Sequence, residues 1–261
     1  MRGAAVVFLL VTLLSGGLTA GECPACTAAK ICDPHAASDR EALKALSEGM
    51  RNPDPEARKG AIEAFAAATR EHANCRPPAN ASALAAAMKD PDCVVRSLAA
   101  ERLGEQDART ACAVLDREAD SLLKKLAKEP KGAREEQAWL DDYEVIAGVC
   151  AGLGAVGGPP AGKTMEKILT SVRLKVLDVA CEYFPKIRDK AVPPAVIAAM
   201  DRVRVTTLNA DRDRVWLALM KAWDAMTKAN VRMPDPTDPA DAQRYVQDCR
   251  AWWKANEKTW K

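Results

Sequence analysis

The sequence predicts an all-α protein, built as an α-solenoid of antiparallel helix pairs with a capping helix at its C-terminal end. Apolar residues recur at helical spacing along most of the chain, and no stretch alternates with period two over the length of a strand. A motif that begins at Pro53 returns at Pro91, 38 residues later. Frequent alanine and only 5% aromatic residues also favour closely packed helices over a β-sandwich.

The first twenty residues have the layout of a secretory signal peptide, so we expect residues 1–20 to be removed. An arginine follows the initiator methionine, an apolar run covers 4–14, and cleavage is expected after Ala20. The run is shorter than the roughly 20 apolar residues that span a bilayer. Lipidation of Cys23 is the second choice, because Glu22 stands where a small residue is expected. The sequence therefore predicts an extracytoplasmic protein, periplasmic or secreted, without stable membrane insertion after signal removal.

A cysteine-rich segment, residues 21–37, follows the leader. Its candidate metal ligands are Cys23, Cys26, Cys32 and His35. Three cysteines and one histidine could form a tetrahedral zinc site, and a redox-active C-x-x-C is a further alternative. An oxidising compartment instead favours structural disulfides, with Cys75 as a further partner. The chain has nine cysteines, so at least one thiol is left over, and the connectivity stays open.

The helical region, residues 38–232, divides into five predicted helix pairs separated by breaks rich in proline, glycine and aspartate. The pairs cover 38–73, 80–105, 107–128 with 134–154, 162–170 with 172–188, and 193–203 with 211–228. Residues 233–261 hold a proline-rich linker and a last helix at 239–256. Trp252 and Trp253 on this helix are expected to cap the apolar end of the array.

The repeated motif reads PDPEARKGAIEAF in 53–65 and PDCVVRSLAAERL in 91–103. Its polar positions are Asp54 and Arg58 in the first copy, and Asp92 and Arg96 in the second. Proline is tolerated at a helix start, and a negative charge is favourable there. Each arginine is expected to reach an acidic group or carbonyl groups of the neighbouring repeat. Each copy ends on an apolar residue, Phe65 or Leu103, which is expected to fill the core. The segment Val172 to Val176 fits the same frame further along the chain.

In this motif the chain resembles the HEAT-repeat family, including its bacterial form, the PBS-lyase HEAT-like repeats. The residues that carry the resemblance are Asp90, Pro91, Asp92, Val95, Arg96, Ala99, Leu103 and Gly104. The resemblance is strongest over 38–105 and follows the helical pattern alone over 107–230. It implies a HEAT/armadillo-like α-solenoid whose stacked helix pairs present a concave binding surface.

A separate motif matches the nucleotide-binding pattern G-x-x-x-x-G-K-T, since residues 157–164 read GGPPAGKT. A phosphate-binding loop needs a strand before it and a helix after it. Residues 145–156 would have to supply that strand, but the chain offers no parallel sheet for it to join. We therefore interpret the motif as a loop between the third and fourth helix pairs, and a helix over 145–156 would refute nucleotide binding.

No enzyme class is supported by a complete set of catalytic residues. The chain has two histidines, and neither G-x-S-x-G nor H-E-x-x-H occurs. A net charge of +2 gives no overall basic field for nucleic acid. We predict a non-catalytic exported scaffold without a cofactor, which binds another protein or a peptide and no nucleic acid. The alternative is an enzyme or enzyme subunit, either PBS-lyase-like or nucleotide-binding through residues 157–164.

Overall fold

The computed structural model describes residues 32–70, 78–171, 173–203, 210–235 and 238–260. These residues form eleven α-helices and one 3₁₀ turn, and they contain no β-strand, which confirms the prediction of an all-α protein. The helices are α1 (Cys32–Gly49), α2 (Pro55–Arg70), α3 (Pro78–Ala87), α4 (Cys93–Leu103), α5 (Ala108–Leu126), α6 (Ala133–Val156), α7 (Gly158–Leu169), α8 (Leu174–Tyr183), α9 (Val192–Val203), α10 (Ala210–Thr227) and α11 (Pro239–Asn256). The 3₁₀ turn, Phe184–Lys186, directly follows α8. None of the described helices combines the length and the apolarity that a membrane span requires.

Most helix boundaries fall within a few residues of those expected from the sequence, but two differ more. The first helix begins at Cys32 instead of near residue 38, and α7 begins at Gly158 instead of at 162. In the second case Pro159 and Pro160 occupy the first turn of α7. Their missing amide hydrogens cost little there, because the first amides of a helix have no partner within the helix.

Aspartate side chains cap several of the described helices. Asp92, Asp107 and Asp238 each accept hydrogen bonds from backbone amides in the first turn of α4, α5 and α11, respectively. Each carboxylate satisfies a donor that the helix itself cannot satisfy, and each lies near the positive end of the helix dipole. The breaks that contain these aspartates therefore fix where the helices start.

Each helix packs against its partner in the pair and against the helix two positions further along the chain. The pairs are α1 with α2, α3 with α4, α5 with α6, α7 with α8, and α9 with α10. The odd-numbered helices contact one another in order from α1 to α11, and the even-numbered helices do so from α2 to α10. We call these two series the odd layer and the even layer.

One hydrophobic core runs through the described chain from α1 to α11. Phe65 and Leu103, the last apolar positions of the two motif copies, are both buried, as the sequence pattern predicts. The core becomes aromatic near its C-terminal end, where Trp223 of α10 meets Trp252 of α11 edge to face, with 6.0 Å between ring centroids. Trp253 of α11 is buried as well. The last helix therefore covers the apolar side of the final pair.

Within the even layer, α4 and α6 approach each other closely because glycine lies at the contact. A Cβ atom added to Gly148 would lie 2.1 Å from the carbonyl oxygen of Ser97, and one added to Gly152 would lie 2.4 Å from that of Ala100. No side chain fits at such distances from a backbone atom. The spacing of these two helices thus depends on the absence of a Cβ atom at two positions of α6.

Candidate functional site

The two copies of the repeat motif form the same turn. Arg58 donates from Nη1 to two carbonyl oxygens of the turn before α2, at 2.9 Å each. Arg96 donates from Nη1 to two carbonyl oxygens before α4, at 2.9 Å and 3.1 Å. The accepting residues are Asn52, Pro53, Asp90 and Pro91. Asp54 and Asp92 each accept a hydrogen bond from the amide two residues later. Every donor and acceptor recurs at the offset of the sequence motif, so this sequence repeat is also a repeat of structure.

Arg58 forms, in addition, a buried ion pair with the next repeat. Its Nε and Nη2 atoms donate to the two carboxylate oxygens of Asp90, at 2.8 Å each. Burial by itself would raise the pKa of Asp90, but hydrogen bonds from Arg58 and from the amide of Asp92 hold it below its usual value. Arg96 forms no ion pair within the described residues. The motif arginines therefore hold turns and repeats together, which is a structural role.

The third occurrence of the motif differs from the first two. Arg173 lies before α8 and donates to the carbonyl oxygens of Leu126 at 2.9 Å and Ala127 at 2.7 Å. These carbonyl groups end α5 in the preceding pair, where the helix dipole attracts a cation. Arg202 likewise donates to the carbonyl oxygen of Leu169, at the end of α7. Here the arginines join successive pairs instead of fastening their own turn.

Residues 157–164 do not form a phosphate-binding loop. Residues 145–156 belong to α6, and the stretch from Gly158 to Thr164 forms the first turns of α7. A helix therefore stands where a phosphate-binding loop requires a strand, so residues 157–164 lack the strand–loop–helix arrangement of that motif. The loop is also shorter than expected from the sequence, because Gly157 alone separates α6 from α7.

The residues of this motif are explained by local geometry and by packing. Gly157 and Gly158 have φ angles of 63° and 70°, in the left-handed region that favours glycine. A Cβ atom added to Gly162 would lie 2.4 Å from the Cβ atom of Asp189. Lys163 is exposed. The glycines that match the nucleotide-binding pattern are thus required by a tight turn and by a close contact of a helix.

The threonine of the motif is part of a polar network between α5 and α7. Thr164 donates its hydroxyl hydrogen to Asp116 at 2.8 Å. Lys167 donates to the same carboxylate oxygen at 2.7 Å and to Asp120 at 3.2 Å. The hydrogen bond from Lys167 lowers the pKa of Asp116. These interactions fasten two helices of the odd layer.

The predicted cysteine cluster lies outside the described residues, apart from the backbone of Cys32 and His35 in α1. Cys75 lies outside them as well, so both the disulfide and the zinc alternatives stay predictions. The cysteines with a described side chain are Cys93, Cys112, Cys150, Cys181 and Cys249, and none of these is in a disulfide. Burial raises the pKa of Cys150 to about 12, so its thiol stays protonated and unreactive at neutral pH. The described part of the chain contains no group of three or more metal-ligating side chains.

A groove with a volume of about 880 Å³ lies among α6, α8, the end of α9 and the start of α10. Trp139 and Tyr143 of α6 supply its aromatic side, with 4.8 Å between ring centroids and an edge-to-face geometry. Leu174, Leu177 and Val203 add apolar surface. Ligand sites in proteins commonly have volumes of about 300–1,000 Å³ and this mixture of apolar and polar lining. The groove is therefore the best candidate for a binding site in the described residues.

The groove is rich in positive charge. Its charged lining residues are Arg173, Lys175, Arg202, Arg212, Arg214, Asp178 and Asp211. The whole chain carries a net charge of only +2, so the positive excess of the groove is a local feature. The guanidinium carbon of Arg173 lies 5.4 Å from the ring centroid of Trp139, and Nζ of Lys175 lies 4.9 Å from that of Tyr143. These distances are those of cation–π contacts, which hold each cation against its ring.

Some of the cations that line the groove form an ion pair with a carboxylate of the described chain, and others do not. Arg214 pairs with Asp178 at 3.2 Å, and Arg173 pairs with Glu129 at 3.3 Å. Lys175 and Arg202 form no ion pair with a carboxylate of the described residues. Partial burial lowers the pKa of Arg202. The groove thus holds two positive charges without an acidic partner in the described chain.

The groove was not predicted from the sequence, although some of its lining residues lie close to one another along the chain. Trp139 and Tyr143 stand four residues apart, which places them on one side of a helix, and Arg173 and Lys175 lie in the third occurrence of the motif. The remaining residues come from α9 and α10, far along the chain. Only the packing of four helices brings these groups to one place.

Comparison with protein-family models, with curated proteins and with solved structures gives no significant match to the chain. The HEAT-like interpretation therefore depends on the repeated motif and on the packing of the helices, and any function has to be argued from the groove.

Proposed function

We propose that the chain is an exported α-solenoid scaffold that binds a segment of another protein in the groove among α6, α8, α9 and α10. The observation that carries this proposal is the groove itself, with its aromatic side and its excess of positive charge. Tyrosine, tryptophan and arginine are the residue types most often found at the energetic centres of protein interfaces. The groove presents all three types over a surface to which three successive helix pairs contribute.

The α-solenoid part of the proposal is supported by the order of the helix contacts. Each helix packs on its partner and on the helix two positions away, which produces the odd and the even layer. In a solenoid each repeat contacts its neighbours, and the stacked repeats share one continuous core. The turns of Arg58 and Arg96, equivalent atom by atom, support the same interpretation for the first two pairs.

The extracytoplasmic part of the proposal comes from the leader at residues 1–20, which lies outside the described residues. The groove would bind its partner through its own side chains, so the proposed scaffold function includes no cofactor and no metal.

Site-specific photo-crosslinking tests the proposed binding surface. A photoreactive amino acid at Val179, which lines the groove on α8, is expected to yield a discrete adduct with one partner in the extracytoplasmic extract of the native host. The matched control places the same amino acid at Ser121, an exposed position of α5 in the odd layer. Equal adducts from both positions, or none from Val179, would contradict binding in the groove.

A further inference from the structure

We infer that the segment bound in the groove is acidic, a peptide whose carboxylates pair with Lys175 and Arg202. This inference rests on the proposed function and names the chemistry of the partner. It follows from three properties of the groove: the missing acidic partners of these two cations, their fixed positions, and the way in which the aromatic rings are already covered.

The first property is charge. The groove concentrates five cationic side chains around two carboxylates, and Asp178 is already paired with Arg214. Lys175 and Arg202 have no such partner in the described chain. A partner segment that brings carboxylates would complete the ion pairs that the groove leaves open, whereas a basic segment would meet like charges.

The second property is the position of the two cations. Nη2 of Arg202 donates to the carbonyl oxygen of Leu169, which leaves most of the five guanidinium N–H groups for a ligand. The ring of Tyr143 holds Nζ of Lys175 at 4.9 Å from its centroid. Because both side chains are already in contact with the protein, less side-chain entropy is lost when a carboxylate binds.

The third property separates a peptide from a single-stranded nucleic acid. Proteins that bind single strands stack bases on free aromatic faces in a basic groove. Here a cation covers one face of Trp139 and one of Tyr143, and the two rings also contact each other. The groove therefore offers cations that can pair with carboxylates, but its two aromatic rings do not offer a pair of free faces on which bases could stack.

Fluorescence anisotropy of the purified chain with a short fluorescein-labelled oligoglutamate tests this inference. The comparison probes are an oligoglutamine and an oligothymidylate of the same length. We expect binding of oligoglutamate that weakens with salt, and much weaker binding of both other probes. K175Q and R202Q are each expected to reduce the affinity for oligoglutamate by about tenfold, the loss typical of one charge-assisted hydrogen bond.

The matched control is K163Q, which removes the same charge from an exposed position of α7 outside the groove. It should leave the affinity unchanged, and circular dichroism should show that all three variants are folded. Oligothymidylate binding as tight as that of oligoglutamate, or equal affinities of R202Q and K163Q, would overturn the inference. If Val179 crosslinks to a partner while oligoglutamate does not bind, the scaffold function stands and the acidic partner is wrong.

Discussion

Arg58 and Arg96 occupy equivalent places in two copies of one turn, yet within the described residues only Arg58 forms an ion pair with a carboxylate. Both arginines donate to two backbone carbonyl groups. Only Arg58 adds two hydrogen bonds to Asp90, whose side chain is 3% exposed. The desolvation of a buried ion pair offsets much of its attraction, but the loss of one partner leaves an uncompensated charge. The comparison of the two arginines therefore reports on the direct hydrogen-bonded ion pair, although the charge of Arg96 also acts on Asp90.

Replacement of Arg58 by methionine is expected to lower the free energy of unfolding more than replacement of Arg96 by methionine. Both variants lose the two bonds to carbonyl groups, but only the first removes the cation that forms an ion pair with the buried carboxylate of Asp90. Urea unfolding at neutral pH measures the difference. Equal losses in the two variants would show that the ion pair adds nothing to the turn.

The same experiment has an expected dependence on pH. The fold lowers the pKa of Asp90, so its stabilisation is present above the unfolded carboxyl pKa of about 3.9 and is lost as the pH falls through the lower folded value. The difference between wild type and R58M should therefore shrink as the pH falls below about 4. A difference that stays constant into strong acid would argue against the ionised pair.

At the scale of helices, the contact of α4 with α6 shows how glycine sets the distance between two elements. α6 is the longest described helix, with 24 residues, and glycine normally weakens a helix interior. Gly148 and Gly152 nevertheless lie inside it, where they face the backbone of α4. The close packing of the two helices compensates for the lower helix propensity.

Gly148→Ala is therefore expected to destabilise the protein by about 1–3 kcal/mol, as overpacking of a core commonly does. Gly60→Ala is the matched control, because Gly60 lies in α2 and a Cβ atom there meets nothing within 4 Å. It should stabilise by about 0.5–1 kcal/mol through helix propensity. Thermal unfolding of both variants checks the opposite signs, and a stabilising Gly148→Ala would show that α4 and α6 can separate without cost.

At the scale of the whole molecule, the C-terminal and N-terminal ends of the helical region differ in how they are closed. At the C-terminal end α11 covers the last pair, and Tyr245, Val246, Cys249 and Trp253 of this helix are buried. At the N-terminal end, α1 begins within the cysteine-rich segment, at Cys32. Disulfides there would staple the start of the array in an oxidising compartment.

Intact-mass analysis of the exported chain tests both the leader and the disulfides. We expect a mature chain that begins at Gly21. Alkylation of the unreduced, denatured chain should modify five thiols, because four of the nine cysteines are predicted to pair and the five described ones are free. Nine modified thiols together with bound zinc in the native protein would instead support the Cys3His site, and an uncleaved chain would contradict export.

The helices and many of their boundaries could be predicted because their signals are local. Apolar periodicity, aspartate caps and proline breaks act within one or two turns, so contiguous residues such as 91–103 encode their own helix and its start. For the same reason the motif that recurs after 38 residues can be recognised in the sequence, and both copies form the same hydrogen-bonded turn.

The tertiary structure alone decided the roles that depend on distance. It paired Arg58 with Asp90 and gave Arg96 no ion pair within the described part of the chain, although the two arginines share a motif. It placed residues 157–164 at the start of a helix, where Gly162 and Thr164 contact residues far along the chain. It also brought four helices together around the groove. The sequence contains the charged and aromatic residues, but only the packing of the helices determines which of them contact one another and which charged side chains lack an ionic partner.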